Sequence, residues 1–308
     1  DKPAAEECGK VIGATLAWPG SFAFHFSVDN QDKLRIISGI NSYAGQYTLK
    51  KGETLTTPPL LYTYSNQGKG TVSRRFHRWA RQYGVYNGTK PHMTLMNNWE
   101  ATYFDFNNEI LTGIIDDAAD MGFDLFLLDD GWFGKKHPRN SDNAGLGDWT
   151  INREKLPDGL GYLVKECQKR NIKFGIWLEP EMVNPKSELY EKHPDWVITQ
   201  PNRPLDLSRN QLVLDLCNPE VQDFVFSVVD KTMSETEDIS YIKWDCNRFM
   251  TNAASGYLPA DKQSHLWIEY VRGLYSVLKR VREKYPDVTI MACSGGGGRI
   301  DYGTLPYF

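Results

Sequence analysis

The chain has 308 residues, 41% of them hydrophobic, and a formal net charge of −4. That suits a globular protein with a large core and more than one domain, and the mild acidity gives no electrostatic case for nucleic acid or an anionic membrane. No apolar run approaches the roughly 20 residues of a membrane span, and Asp1-Lys2-Pro3-Ala4-Ala5-Glu6-Glu7 carries no signal-peptide pattern.

Residues from about 10 to 65 read as strands. Phe22, Phe24, Phe26 and Val28 alternate with smaller or polar residues, as do Leu34 and Ile36, and Pro58-Pro59 precedes a last strand-like run from Leu60 to Tyr64. Thr71 to Tyr83 changes period, with Phe76, Trp79, Ala80 and Tyr83 on one helical face. Asn87-Gly88-Thr89-Lys90-Pro91 then breaks the chain.

Beyond this break the pattern is strand, loop, helix, repeated. Met93–Asn97 ends in Asn98-Trp99-Glu100, and a helix over about 107–121 follows. Phe123–Leu128 is a continuous apolar run, as a parallel strand buried on both faces requires, and it ends in Asp129-Asp130-Gly131-Trp132. After a helix from Leu160 to Arg170, the strand Lys173–Leu178 ends in Glu179-Pro180-Glu181. A helix from Pro219 to about Thr236 leads to Tyr241-Ile242-Lys243-Trp244-Asp245-Cys246-Asn247-Arg248. A helix over about 264–284 and a strand Val288–Ala292 come last, and the strand ends in Cys293-Ser294 and four glycines, Gly295 to Gly298. This is a (β/α) barrel pattern with about five of the eight strands that close such a barrel. A doubly wound sheet predicts a Gly-rich turn after its first strand, and none is present.

The five cysteines have no CxxC spacing and read as reduced thiols. The six histidines form neither HxH nor HExxH, so no metal is expected.

Chemistry gathers at the strand ends. Strand alternation puts Lys243, Asp245 and Asn247 on one face, where the lysine is expected to keep Asp245 ionised, as a nucleophilic carboxylate must be. A lone Lys-x-Asp is more often a structural ion pair. Glu100, Asp129 with Asp130, and Glu179 with Glu181 stand at the other strand ends, with Trp99, Trp132, Trp149 and Trp177 nearby. A single such acid is usually a helix cap, and a lone Asp-Asp serves equally as a metal site. Four strand ends with the same chemistry make a carbohydrate site the economical account, since sugar hydroxyls donate to carboxylates and indoles stack on pyranose faces. Taken singly, Arg209 reads as a solvated loop arginine, Cys293 as a small buried hydrophobe, and the glycine run as a place for close backbone approach.

The set Asn98-Trp99-Glu100-Ala101, Leu128-Asp129-Asp130-Gly131-Trp132-Phe133-Gly134, Gly147-Asp148-Trp149, Trp177-Leu178-Glu179-Pro180-Glu181-Met182, Lys243-Trp244-Asp245-Cys246-Asn247-Arg248 and Cys293 to Arg299 resembles the family 36 glycoside hydrolases, α-galactosidases of the melibiase type. The resemblance implies an α/β chain in which residues 1–88 are the end of an N-terminal β-supersandwich (the C-terminal part of a β-sandwich domain) plus a linker helix. Residues 89–308 would be a catalytic (β/α)8 TIM barrel, truncated after about five strands. It implies retaining hydrolysis of terminal α-galactose from oligosaccharides such as melibiose and raffinose, without cofactor or metal, and a homo-oligomer in the full-length protein. Asp245 falls on the family's nucleophile. Asp129 and Asp130 match the pair that holds galactose O4 and O6. Lys243, Asn247, Arg209, Trp99 and Trp177 match further sugar contacts, and Cys293 and Gly296 lie beside O2. The family's acid/base is an aspartate of a Ser-Asp motif on the strand after the glycine run. It is expected beyond Phe308, so residues 1–308 alone are expected to be inactive. An α-N-acetylgalactosaminidase, a galactosyltransferase of the same family and a non-catalytic sugar-binding protein remain alternatives.

Overall fold

The computed structural model describes residues 3–43, 45–293 and 298–308. The chain divides into two compact units, residues 1–91 with 299–308, and residues 92–298.

In the first unit, strand β1 (Val11–Leu16) pairs antiparallel with β4 (Leu60–Ser65), and between them β2 (Phe22–Val28) and β3 (Leu34–Ile40) form a hairpin. The Asp29 carboxylate closes the hairpin turn by accepting from Gln31 and Lys33 N–H. Helix α1 (Gly68–Trp79) lies against β1 where Gly13 has no side chain, since a Cβ there would stand 2.3 Å from Val72 Cγ1. One turn of π-helix over Ala80–Gly84 prolongs α1, and the Trp79 ring meets Tyr302 of the returning terminal segment at 5.7 Å. The alternating phenylalanines of β2 share a face as read, but Phe26 and Val28 are about two-thirds exposed, so this alternation does not mark a core among the described residues.

The second unit rests on one parallel sheet. Its elements run β5 (Leu95–Asn97), α2 (Trp99–Thr102), α3 (Asn108–Asp120), β6 (Leu125–Leu128), α4 (Leu160–Lys169) and β7 (Lys173–Leu178). A short antiparallel ribbon, β8 (Met182–Val183) with β9 (Leu212–Val213), brackets α5 (Glu188–Lys192). Then come α6 (Pro219–Ser234), β10 (Ile239–Trp244), α7 (Leu266–Lys284) and β11 (Thr289–Ala292). The strand order, β5-β6-β7-β10-β11, follows the chain without reversal, so this mixed α/β unit lacks the switch point of a doubly wound sheet.

The predicted strands and helices recur within a few residues. Every residue of β6 is buried, and Ile176, Leu178, Ile242 and Trp244 join it; a leucine so enclosed contributes on the order of 1.5–3 kcal/mol over an exposed one. The helices add Leu111, Ile115, Leu163, Val225, Val229, Val277 and Leu278 to the same core. Asn107 and Asn218 start α3 and α6 by accepting N–H groups of the first turn.

Two helical glycines give opposite expectations. A Cβ at Gly273 in α7 would stand 2.0 Å from the Leu216 carbonyl oxygen, whereas one at Gly113 in α3 would meet nothing within 4 Å. Gly273→Ala is expected to destabilise by about 1–3 kcal/mol through overpacking, and Gly113→Ala to stabilise by up to about 1 kcal/mol through helix propensity. Denaturant midpoints of the two variants should move in opposite directions.

Candidate active site

Parallel register places the ends of successive strands side by side. Leu128 pairs with Ile176, Leu178 with Trp244, and Trp244 with Ala292. The ladder runs one step further, with Asp245 N–H on Leu178 O and Cys293 N–H on Trp244 O, each at 2.8 Å. Asp129, Glu179, Asp245 and Cys293 thus follow directly on β6, β7, β10 and β11, on one edge of the sheet.

Asp245 is 5% exposed. Its Oδ1 accepts from Cys246 N–H at 2.9 Å, and its Oδ2 from the indole N–H of Trp177 at 3.0 Å. Two neutral donors from different strand ends therefore fix the plane of the carboxylate. Lys243 forms its ion pair with Asp129 rather than Asp245, although the charge of Asp245 still attracts it, as the sequence reading expects. The lysine Nζ lies 2.7 Å from Asp129 Oδ2. The reason is geometric: side chains two apart on a strand stand roughly 6.6 Å apart, and the long lysine stem reaches across β7 instead. Burial disfavours the Lys243 ammonium, but the charge and hydrogen bond of Asp129 prevail and hold it above its ordinary range.

Asp129 is anchored on three sides. Its Oδ2 also accepts from Asn97 Nδ2 at 2.6 Å, its Oδ1 from Asp130 N–H, and its own N–H donates to Asn98 Oδ1. Asp130 meets the fork of Arg139, with Nη2 at 2.8 Å from Oδ2 and Nε at 3.0 Å from Oδ1. Burial drives the Asp130 carboxyl upward, and Arg139 offsets part of that. The guanidinium is itself 1% exposed and is held by Ala144 O and Asn184 Oδ1. Beneath the turn, Lys155 donates to the carbonyls of Phe104, Gly131 and Arg139, and burial lowers its ammonium to about 8.

Glu179 and Glu181 are both 0% exposed. Glu181 accepts from the Trp244 indole at 2.9 Å and the Tyr270 hydroxyl at 2.8 Å. Glu179 accepts from Asn247 N–H at 2.5 Å and Gln211 Nε2 at 3.0 Å. Burial, then the charge of Asp245, push the Glu179 carboxyl up to about 8.

The remaining predicted residues divide. Trp177 is 2% exposed and packs with Phe133 and Trp149, so its ring supports Asp245 rather than presenting a free face. Trp132, read as a neighbouring sugar platform, is likewise enclosed, its indole N–H on Trp177 O. Trp99 is half-buried, edge-on to Tyr103 and Phe104, and its N–H is held by Asn97 Oδ1, the amide that also binds Asp129. Glu100 is exposed and accepts from Tyr103, and no described hydrogen bond joins it to the buried acids. Arg209 is exposed at φ +52° in a tight turn that Asn184 and Glu179 bind through Asn210 O and Gln211 Nε2. Asn247 and Cys293 are half-buried at their strand ends. Gly296 lies outside the described residues.

Arg139, Gln211, Asn97 and Lys155 went unnoticed in the sequence. Arg139, Gln211 and Lys155 sit in loops, and Asn97 sits at a strand end just before the Asn98-Trp99-Glu100 motif. A buried Asp-Asp pair does demand a cation, which could have prompted a search for an arginine. Among the described residues no group of three or more His, Cys, Asp or Glu side chains could hold a metal ion, and no helix is long and apolar enough to cross a membrane.

Comparison with known proteins bears on this site. The model of the melibiase family matches residues 54–308, and that of the glycosyl hydrolase family 36 N-terminal domain matches residues 1–50. The chain is 41% identical to α-galactosidase AgaA of Geobacillus stearothermophilus over 309 aligned residues, covering 99% of this chain and 42% of the relative. It is also 41% identical to α-galactosidase 1 of Pediococcus pentosaceus, covering 100% and 42%. The crystal structure of an AgaA variant in complex with stachyose superposes with a TM-score of 0.94 at 40% identity, over 99% of this chain and 42% of that one. The chain thus spans well under half the length of these relatives, and it belongs to the melibiase family, glycosyl hydrolase family 36.

Proposed function

We propose that this chain carries the nucleophile and most of the galactose contacts of a retaining α-galactosidase. The observation that carries the reading is Asp245: a buried carboxylate at a strand end, oriented by two neutral N–H donors, while Arg139 and Lys243 form their ion pairs with Asp130 and Asp129. Its negative charge is therefore left for the positive charge that develops at the anomeric carbon of an oxocarbenium-like transition state.

Asp245 attacks the anomeric carbon as an acid protonates the departing oxygen, and water then releases galactose with that acid acting as base. Asp129 and Asp130 hold O4 and O6, their fixed donors leaving lone pairs for sugar hydroxyls. Lys243, Asn247, Arg209 and Trp99 surround the ring, Trp177 borders it while orienting Asp245, and Cys293 lies beside O2. The acid/base is the aspartate of a Ser-Asp motif, which the family resemblance puts on the strand after the glycine run. AgaA variants have been crystallised with raffinose and with stachyose, which supports oligosaccharides ending in α-galactose as substrates. In this reading residues 1–88 end a β-supersandwich and add a linker helix, residues 89–308 hold about five strands of a (β/α)8 barrel, and the full-length protein is a homo-oligomer.

In the full-length protein Asp245→Gly should lower kcat on p-nitrophenyl α-galactoside by on the order of 10⁴-fold or more, with azide restoring turnover. A fluorinated galactosyl inactivator should label the peptide around Trp244 in the parent enzyme. An unchanged rate, or label elsewhere, would refute the assignment.

Trp177→Phe keeps a ring but removes the N–H on Asp245 Oδ2. It is expected to lower kcat by about 10²-fold, as misplacement of the attacking group does, while KM changes little. Steady-state kinetics against wild type checks this.

A further inference from the structure

Glu179 takes no part in the reaction proposed above, yet it is 0% exposed and ties two segments together. Asn247, whose N–H it accepts, lies two residues past Asp245. Gln211, whose carboxamide it meets, lies two residues past Arg209. Gln211 is 1% exposed. Arg248 binds the Gln211 carbonyl and, at 2.9 Å, that of Asp206, so the same two segments are joined a second time.

The charges facing Glu179 do not favour another anion. Asp245 and Asp130 both repel one, and Arg139 has its fork on Asp130. Among the described residues, no Lys, Arg or His forms an ion pair with its oxygens; the hydrogen-bond partners are a backbone N–H and a carboxamide. A fully buried carboxylate with an anionic neighbour and no cation of its own is better accommodated as the acid.

We propose that Glu179 is a positioning residue that works as a neutral carboxylic acid, accepting the Asn247 N–H on its carbonyl oxygen and donating its O–H to the Gln211 carboxamide oxygen. The Gln211 amide is then turned over from the orientation above, which leaves its shape unchanged. Asn247 and the Arg209 turn are set relative to each other, and no second negative charge stands beside Asp245. The upward drive on the Glu179 carboxyl to about 8 agrees with this state at neutral pH. The functional half rests on reading Asn247 and Arg209 as sugar contacts of an α-galactosidase; the protonation half does not.

The test uses the full-length protein and the variants Glu179→Gln and Glu179→Ala. Gln reproduces both hydrogen bonds of the neutral acid, so kcat/KM at pH 7 should stay within about threefold of wild type, whereas Ala should lose on the order of 10²-fold through misplaced sugar contacts. Infrared difference spectra at pH 7, wild type minus Glu179→Gln, should show the carbonyl stretch of a protonated carboxylic acid. Loss of activity in Glu179→Gln as deep as in Glu179→Ala, or absence of that band, overturns the proposal. Should Glu179→Ala fail to fold, the Gln variant and the infrared pair still decide it. A protein without α-galactosidase activity that shows the band would refute the functional reading and leave the protonation standing.

Discussion

The second unit is constrained above all by the burial of acids along one sheet edge. Asp129, Asp130, Glu179, Glu181 and Asp245 are each less than 10% exposed, and a carboxylate moved out of water without compensation is severely destabilised. Each therefore has specific donors, and the kind of donor differs. Asp129 and Asp130 face Lys243 and Arg139. Asp245 and Glu181 face indoles, a phenol and a backbone N–H, and Glu179 faces a backbone N–H and the neutral Gln211 carboxamide. Cations thus gather at one end of the row and neutral donors at the other, and that division makes the edge suitable for chemistry rather than for ion pairing alone.

The same division explains why so much aromatic side chain is enclosed. An indole N–H can orient a carboxylate without neutralising it, and the ring excludes water from the pair. Trp177 does this for Asp245 and Trp244 for Glu181, while Trp132 fixes the Trp177 backbone carbonyl. The stacking of Phe133 on Trp177, with planes 5° apart, then holds that indole in place. Rigid rings behind the acids set the acid geometry before any ligand arrives, which preorganised catalysis requires.

Much of the fold was legible because parallel strands bury both faces and leave uninterrupted apolar runs. Lys173–Leu178 was read at its observed limits, and Leu125–Leu128 lies inside its predicted run. β10 begins two residues before the expected strand, since its first residues, Ile239-Ser240, do not extend the apolar run. At the site, the acids and their strand-end positions were visible as motifs; the partners were not. Lys243 looked like the neighbour of Asp245 because sequence shows only separation along one strand, while its actual partner is 114 residues away. Gln211 and Glu179 are 32 residues apart in the chain, and Arg139 and Asn184 are 45 apart. No local pattern encodes such pairings.

Long connections follow from the same requirement. A strand end offers one or two side chains, too few donors for the acids it carries, so the rest must come from loops that return to the edge. The segment after β6 returns with Arg139, and the turn before β9 returns with Gln211. These loops are themselves tied down: Asn184 holds Arg139, Leu146 N–H and the Asn210 carbonyl at once, which links two excursions through one buried amide. A loop that supplies a donor to a buried acid cannot shift without leaving that acid unpaired. The irregular parts of the unit are therefore as strictly placed as its strands, and the strictness originates in the acids they serve.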